Sequence, residues 1–140
     1  MIVLDTNVLS ELMRPEPSDV VLRWMLGQPS DSLVTTTVTQ AEILFGVRLL
    51  PEGRRRTALV AAAEQMFETD FAGRVLPFDS AAARQFAELA AERQRRGRPT
   101  GAFDLQVAAI TKSRGATVAT RNVGDFEGFG PPVINPWDEP

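Results

Sequence analysis

Short apolar or β-branched runs alternate with helix-length segments along this chain, and that alternation limits its fold more than any other feature. Ile2-Val3-Leu4, Ser32 to Thr36, Arg74 to Phe78 and Thr117 to Thr120 read as strands, with Val133-Ile134 as a last edge strand. Ile2 to Leu4 is an unbroken apolar run, as expected of a strand buried on both faces of a parallel sheet. Between the strands, helices are expected over Asn7 to Met13, from after Ser18 to about Gly27, and from Thr37 to about Leu50. Three more are expected over Pro51 to Phe71, Ala81 to Arg96 and Gly101 to Arg114, with a break from Gly97 to Thr100. Ser18, Thr37 and either Asp79 or Ser80 are the expected N-caps, and Gln40 would complete a capping box behind Thr37. The second helix would turn Val20, Val21, Trp24, Met25 and Leu26 toward the core. The pattern implies an α/β fold with a central, mostly parallel sheet of four to five short strands and helices on both faces. One domain over residues 1–140 is expected, the last few residues forming a tail.

An acid follows the first strand at once. Ligand sites of open α/β sheets lie at the carboxyl ends of the strands, so Asp5 stands where chemistry is usually done. It is also placed to cap the helix that starts near Asn7, and both roles stay open. In the helix after Thr37, Val38, Phe45 and Leu49 define one apolar face, and Glu42 falls inside that arc. Asp104 shares a helical face with Gly101, Val107, Ala108 and Thr111, while Gln106 and Ser113 lie opposite. A solvated stripe edge for Glu42 and a first-turn acid favoured by the helix dipole for Asp104 are the plain structural readings. The fourth strand again ends in small polar residues, with Asn122 at its end and Asp125 three residues on. Helices that follow strands begin at the carboxyl edge of the sheet, so Asp5, Glu42, Asp104 and Asn122 can converge there. Converging carboxylates repel one another and need shared protons or a divalent cation.

Composition narrows the chemistry. The chain has no Cys, no His and no Tyr, and its one Lys is Lys112. That excludes thiolate nucleophiles, disulfides, zinc knuckles and imidazole acid–base pairs. Lys112 follows no glycine-rich loop, so no Walker-type phosphate site is present. Carboxylates, hydroxyls, amides and Arg remain, an oxygen-rich set that suits a hard cation such as Mg²⁺ or Mn²⁺. A net charge of −3 argues against a globally basic nucleic-acid binder. Arg54 to Arg56 and Arg93 to Arg98 are nevertheless dense basic clusters, readable as phosphate contacts or as solvated helix ends. The opening apolar run is too short for a signal peptide or a membrane span and has no basic leader, so a cytoplasmic protein without a membrane partner is expected.

Four segments in this order carry a family resemblance: Ile2-Val3-Leu4-Asp5-Thr6-Asn7-Val8-Leu9-Ser10-Glu11, Thr39-Gln40-Ala41-Glu42-Ile43-Leu44-Phe45-Gly46-Val47, Asp104-Leu105-Gln106-Val107-Ala108-Ala109-Ile110, and Thr120-Arg121-Asn122-Val123-Gly124-Asp125-Phe126. Together they resemble the PIN-domain ribonucleases, in particular the VapC-like toxins of bacterial toxin–antitoxin pairs and their FitB-like branch, which the closing Pro136-Trp137 also resembles. The resemblance implies a PIN-like domain whose acids Asp5, Glu42 and Asp104 hold Mg²⁺, with Mn²⁺ able to substitute, for endonucleolytic cleavage of RNA. Many members carry a fourth acid after the fourth strand, where this chain offers Asn122 and, slightly later, Asp125. Thr6, Asn7, Thr120 and Arg121 are candidates for orienting the acids or phosphate. The implied partners are a VapB- or FitA-like antitoxin, the RNA substrate, a second copy of the chain in a homodimer, and DNA only through the antitoxin. Three other readings compete: a non-catalytic PIN-fold binding module, favoured by the missing fourth acid; a receiver-like phosphoacceptor, disfavoured because Lys112 falls inside a helix; and a glycosidase-like pair of acids, disfavoured because few aromatics leave little sugar-binding surface.

Overall fold

The computed structural model of the protein describes residues 1–98, 100–128 and 130–138. Its five strands, β1 (Ile2–Leu4), β2 (Leu33–Thr36), β3 (Val75–Leu76), β4 (Thr117–Ala119) and β5 (Val133–Ile134), form one sheet in the order β3-β2-β1-β4-β5. All pairings are parallel; Ile2 pairs with Leu33 on one side and with Thr117 on the other. Successive strand residues point to opposite faces. Val3, Val34 and Val118 enter a core with α5 (Ser80–Arg95) and α6 (Ala102–Ser113). Leu4, Leu33 and Ala119 enter a second core with α1 (Thr6–Leu12), α2 (Asp19–Leu26), α3 (Thr37–Arg48) and α4 (Arg54–Gln65). Both sheet faces are covered, which is why the strand residues are apolar or β-branched without alternation.

The chain runs from β1 outward through β2 and β3, then returns to lay β4 and β5 on the other side of β1. The strand order therefore reverses beside β1, where a crevice opens at the carboxyl edge of such sheets. Asp5 follows β1 directly, and Thr36, Thr120 and Asn135 end or follow β2, β4 and β5 at the same edge. Beyond β4 the short 3₁₀ turn Val123–Asp125 is anchored by the fully buried Phe126, a burial worth about 2–3 kcal/mol.

Several boundaries differ from the sequence reading for local reasons. The cap of α3 is Thr36, not Thr37: Thr36 has extended backbone and its hydroxyl accepts from the Thr39 amide at 3.1 Å. Gln40 is therefore out of capping-box register. The buried residues of α3 are Val38, Thr39, Ile43 and Val47, whereas Phe45 (65% exposed) and Leu49 (68%) point outward. The arc expected from Phe45 and Leu49 is thus not the packed one; Glu42 sits half-buried at the edge of the Thr39-Ile43-Val47 row. Leu26, expected in the core, is 84% exposed at the end of α2. The helix expected from Pro51 starts at Arg54 after Gly53 and passes into a π turn over Met66–Asp70. Helix α6 follows α5, not a strand. It begins at the carboxyl edge because its other end feeds β4 through Arg114 to Ala116, with the Thr117 amide donating to the Met1 carbonyl. Near the expected tail, Trp137 lies in a 3₁₀ turn, Pro136–Asp138, and packs on the second core. Pro99 of the expected break and Glu139 and Pro140 of the tail lie outside the described residues. Among the described residues no helix is long and apolar enough to cross a membrane.

Candidate active site

Asp5 is only 3% exposed and is held at both oxygens. Oδ1 accepts from the Thr6 amide at 2.8 Å, and Oδ2 accepts from the Thr120 hydroxyl at 2.9 Å. The Asp5 amide donates to the Ala119 carbonyl, and its carbonyl accepts from Val8 and Leu9 in the first turn of α1. Asp5 is therefore the N-cap of α1 and a cleft residue at once, so the two readings of it coexist. Thr120 is the hub behind it: besides donating to Asp5, its hydroxyl accepts from Asn7 Nδ2 at 3.1 Å and from the Asn122 amide at 3.0 Å. Asn7 completes the ring by accepting the Arg121 amide at its Oδ1, 3.1 Å away. These bonds join the start of α1 to the end of β4.

Glu42, on the second turn of α3, accepts from the Thr6 hydroxyl at 2.8 Å, and that hydroxyl also lies 3.3 Å from the Thr39 hydroxyl. Asp104, in the first turn of α6, is half-buried. Asp5, Glu42 and Asp104 line one cleft of about 520 Å³ together with Thr6, Asn7, Arg121 and Asn122. Asp125 does not line the cleft; it hydrogen-bonds Asp104 and adds its charge to Asp104 and Asp5.

The electrostatics follow from this crowding. Burial raises the Asp5 carboxyl above its ordinary value, the bonds from Thr6 and Thr120 offset part of the rise, and Asp125 adds to it. Burial raises Glu42 as well, opposed by Thr6 and reinforced by the charge of Asp5. Asp104 is pushed up to about 6, first by burial and then by the charges of Asp5, Asp125 and Glu42. Among the described residues no Lys or Arg forms an ion pair with Asp5, Glu42 or Asp104. The donor set, all oxygen and without an ion-paired counter-charge among the described residues, fits a hard divalent cation. Among the described residues no three acids stand close enough together, as placed, to share an ion. Glu42 is drawn to Thr6 and Asp104 to Asp125, so the acids border the cleft without closing on one point.

Further cleft residues escaped the sequence reading as functional candidates: Ser10, Glu11, Arg14 and Trp137. Glu11 is 6% exposed, accepts from the Ser18 amide at 3.0 Å, and pairs with Arg14 at 3.4 Å. The spacing places Asn7 and Glu11 on one face of α1, with Arg14 just beyond the C-cap Met13, a signal that was available. Trp137 follows β5 at the same carboxyl edge as the acids.

Residues 2–127 match the PIN domain family, and the chain belongs to it. Among its relatives, the chain is 43% identical over 138 residues to VapC ribonuclease Y4jK of Sinorhizobium fredii, covering 99% of each sequence. It is 37% identical over 139 residues to Toxin FitB of Neisseria gonorrhoeae, covering 99% of this chain and 100% of that one. The fold superposes on the crystal structure of FitAcB from Neisseria gonorrhoeae with a TM-score of 0.92 at 37% identity, over 99% of this chain and 100% of that one. It also superposes on the DNA-bound VapBC of Salmonella typhimurium with a TM-score of 0.77 at 26% identity, over 95% and 96% of the two chains.

Proposed function

We propose that this chain is a metal-dependent endoribonuclease, the toxin of a VapBC-type toxin–antitoxin pair, acting in the cytoplasm as one PIN domain over residues 1–140. The observation that carries the reading is the cleft itself: Asp5, Glu42 and Asp104, all with raised pKa values, border one space without a pairing cation. Asp5, Glu42 and Asp104 would hold Mg²⁺, with Mn²⁺ able to substitute; Asn122 would offer an amide oxygen at the cleft, and Asp125 would act on Asp104 from behind. Bound there, the ion supplies an acidified water and charge stabilisation at the phosphoryl group. Thr6 and Thr120 fix the carboxylates of Glu42 and Asp5, and Asn7 fixes Thr120. A half-exposed carboxylate, Glu42 or Asp104, accepts the proton of the attacking water, and Arg121 faces the phosphate. Hydrolysis by this route leaves 5′-phosphate and 3′-hydroxyl ends.

A groove of about 530 Å³ supports the antitoxin partnership. Met13, Ile43, Val47, Leu50 and Leu59 line it, and it opens onto Thr6 and Glu42. An apolar peptide segment of a VapB- or FitA-like antitoxin would fill it and could carry a cation to the acids. DNA would be met only through that antitoxin. The outward Phe45 of α3 and Leu49 at its C-cap, one turn apart, support a homodimer as an adjacent exposed apolar pair. The test is cleavage of cellular RNA with Mg²⁺ or Mn²⁺, with mapping of the ends. Activity that survives EDTA, or products ending in cyclic phosphate, would remove the mechanism. Asn122 in place of a fourth acid favours the non-catalytic alternative; absence of Mn²⁺ binding in the millimolar range would decide for it.

A further inference from the structure

We propose that Arg121 contacts an RNA phosphate beside the cleaved bond and that Trp137 is the positioning residue that holds its guanidinium at the cleft. The inference rests on the nuclease reading above. Two arginines line the acid cleft, and their surroundings differ. Arg14 is engaged with Glu11 at 3.4 Å. Arg121 makes no ion pair among the described residues, although four acids share its cleft; its guanidinium carbon lies 4.6 Å from the centroid of the Trp137 ring. A guanidinium whose carbon is held over an aromatic face keeps N–H donors free to meet a phosphate with two parallel hydrogen bonds.

Both halves of the pair are held from below. The Trp137 amide donates to Asn135 Oδ1 at 3.0 Å, the adjoining Pro136 is buried, and the ring packs against the second core. The Arg121 amide donates to Asn7 Oδ1 at 3.1 Å, which ties its backbone to the helix that Asp5 caps. The side chain is thus aimed by the ring and anchored by the acid site's own hydrogen-bond ring. Arg121 is itself exposed, so an incoming anion can reach it. A purely structural staple between β4 and the last turn would use the same contact, and the test separates the two.

The test measures kcat and KM of the full-length protein on single-stranded RNA with Mn²⁺ at several KCl concentrations, with Mn²⁺ affinity measured separately without RNA. Arg121→Ala should lower kcat/KM about tenfold, chiefly through KM. It should also flatten the log–log salt dependence by about 0.7, as for one lost phosphate contact on a single strand. Trp137→Leu, which fills the apolar space without a π face, should do the same, while Trp137→Phe should stay near wild type. Arg121→Ala combined with Trp137→Leu should be no worse than Arg121→Ala alone, and Mn²⁺ affinity should be unchanged throughout. A wild-type salt slope in Trp137→Leu, or equal losses in the Leu and Phe variants, would overturn the positioning role. An active wild type matched by Arg121→Ala would overturn the phosphate contact, whereas a wild type that cleaves no RNA would overturn the nuclease reading itself.

Discussion

Replacing Asp104 by Asn should stabilise the metal-free protein at neutral pH while removing its activity. The folded Asp104 carboxyl titrates at about 6 against an ordinary 3.8, because burial and the charges of Asp5, Asp125 and Glu42 oppose its ionisation. Between those values the folded chain holds a proton that the unfolded chain releases, so stability falls as pH rises through this window. At ~1.36 kcal/mol per pH unit the ceiling is about 3 kcal/mol. Asp104 is half-exposed in an open cleft, and solvent screening reduces that to about 1–1.5 kcal/mol. An amide removes the charge and keeps a donor for Asp125. Urea and thermal unfolding in EDTA should show Asp104→Asn more stable than wild type at pH 7.5, by roughly 3–6 °C for a domain of this size. The gap should shrink below pH 6 and be nearly gone by pH 4, and saturating Mn²⁺ should stabilise wild type more than the variant. A variant less stable than wild type at pH 7.5 in EDTA, or a gap of equal size at both pH values, would refute the charge-crowding argument.

Other substitutions probe the surroundings of the acids. Thr120→Val removes the hydroxyl shared by Asp5, Asn7 and Asn122; unfolding should show a loss of about 2 kcal/mol, and cleavage should fall at least tenfold. Ala58→Trp should fill the apolar groove beside Glu42; co-expression should show growth arrest no longer relieved by the antitoxin, with RNA cleavage by the purified variant retained. Phe45→Glu with Leu49→Lys should leave the fold intact, as both side chains are exposed, and shift the protein from dimer to monomer in sedimentation.

The strands were legible because each is a short apolar run that the sheet buries on both faces, and Asp5 because it follows the first of them without a gap. Thr120 was a candidate only through the family resemblance, whereas Asn122 followed from the same strand-end rule. Its application to β5 would also have brought Trp137 to the cleft. Glu42 and Asp104 were placed together for reasons only partly right. Glu42 does not lie in a buried arc with Phe45 and Leu49; it borders the row Thr39-Ile43-Val47, because contacts with the sheet and α4, not maximum hydrophobicity, decide which face of α3 packs. Asp104 reaches the edge because α6 runs into β4. The position of Asp125 behind Asp104, and not in the cleft, depends on the turn anchored by Phe126, which no helical or strand period encodes. The expected cap of α3, Thr37, falls one residue late because the adjacent Thr36 can cap equally well and is the one with extended backbone.

The measurement that bears most directly on the shared-cation account is Mn²⁺ binding, followed by electron paramagnetic resonance without RNA, in wild type and in Asp5→Asn. Wild type should show a saturable site below millimolar Mn²⁺ that Asp5→Asn loses, and RNA cleavage should rise with occupancy of that site. Equal Mn²⁺ binding in both proteins, or cleavage that continues with the site empty in EDTA, would contradict it.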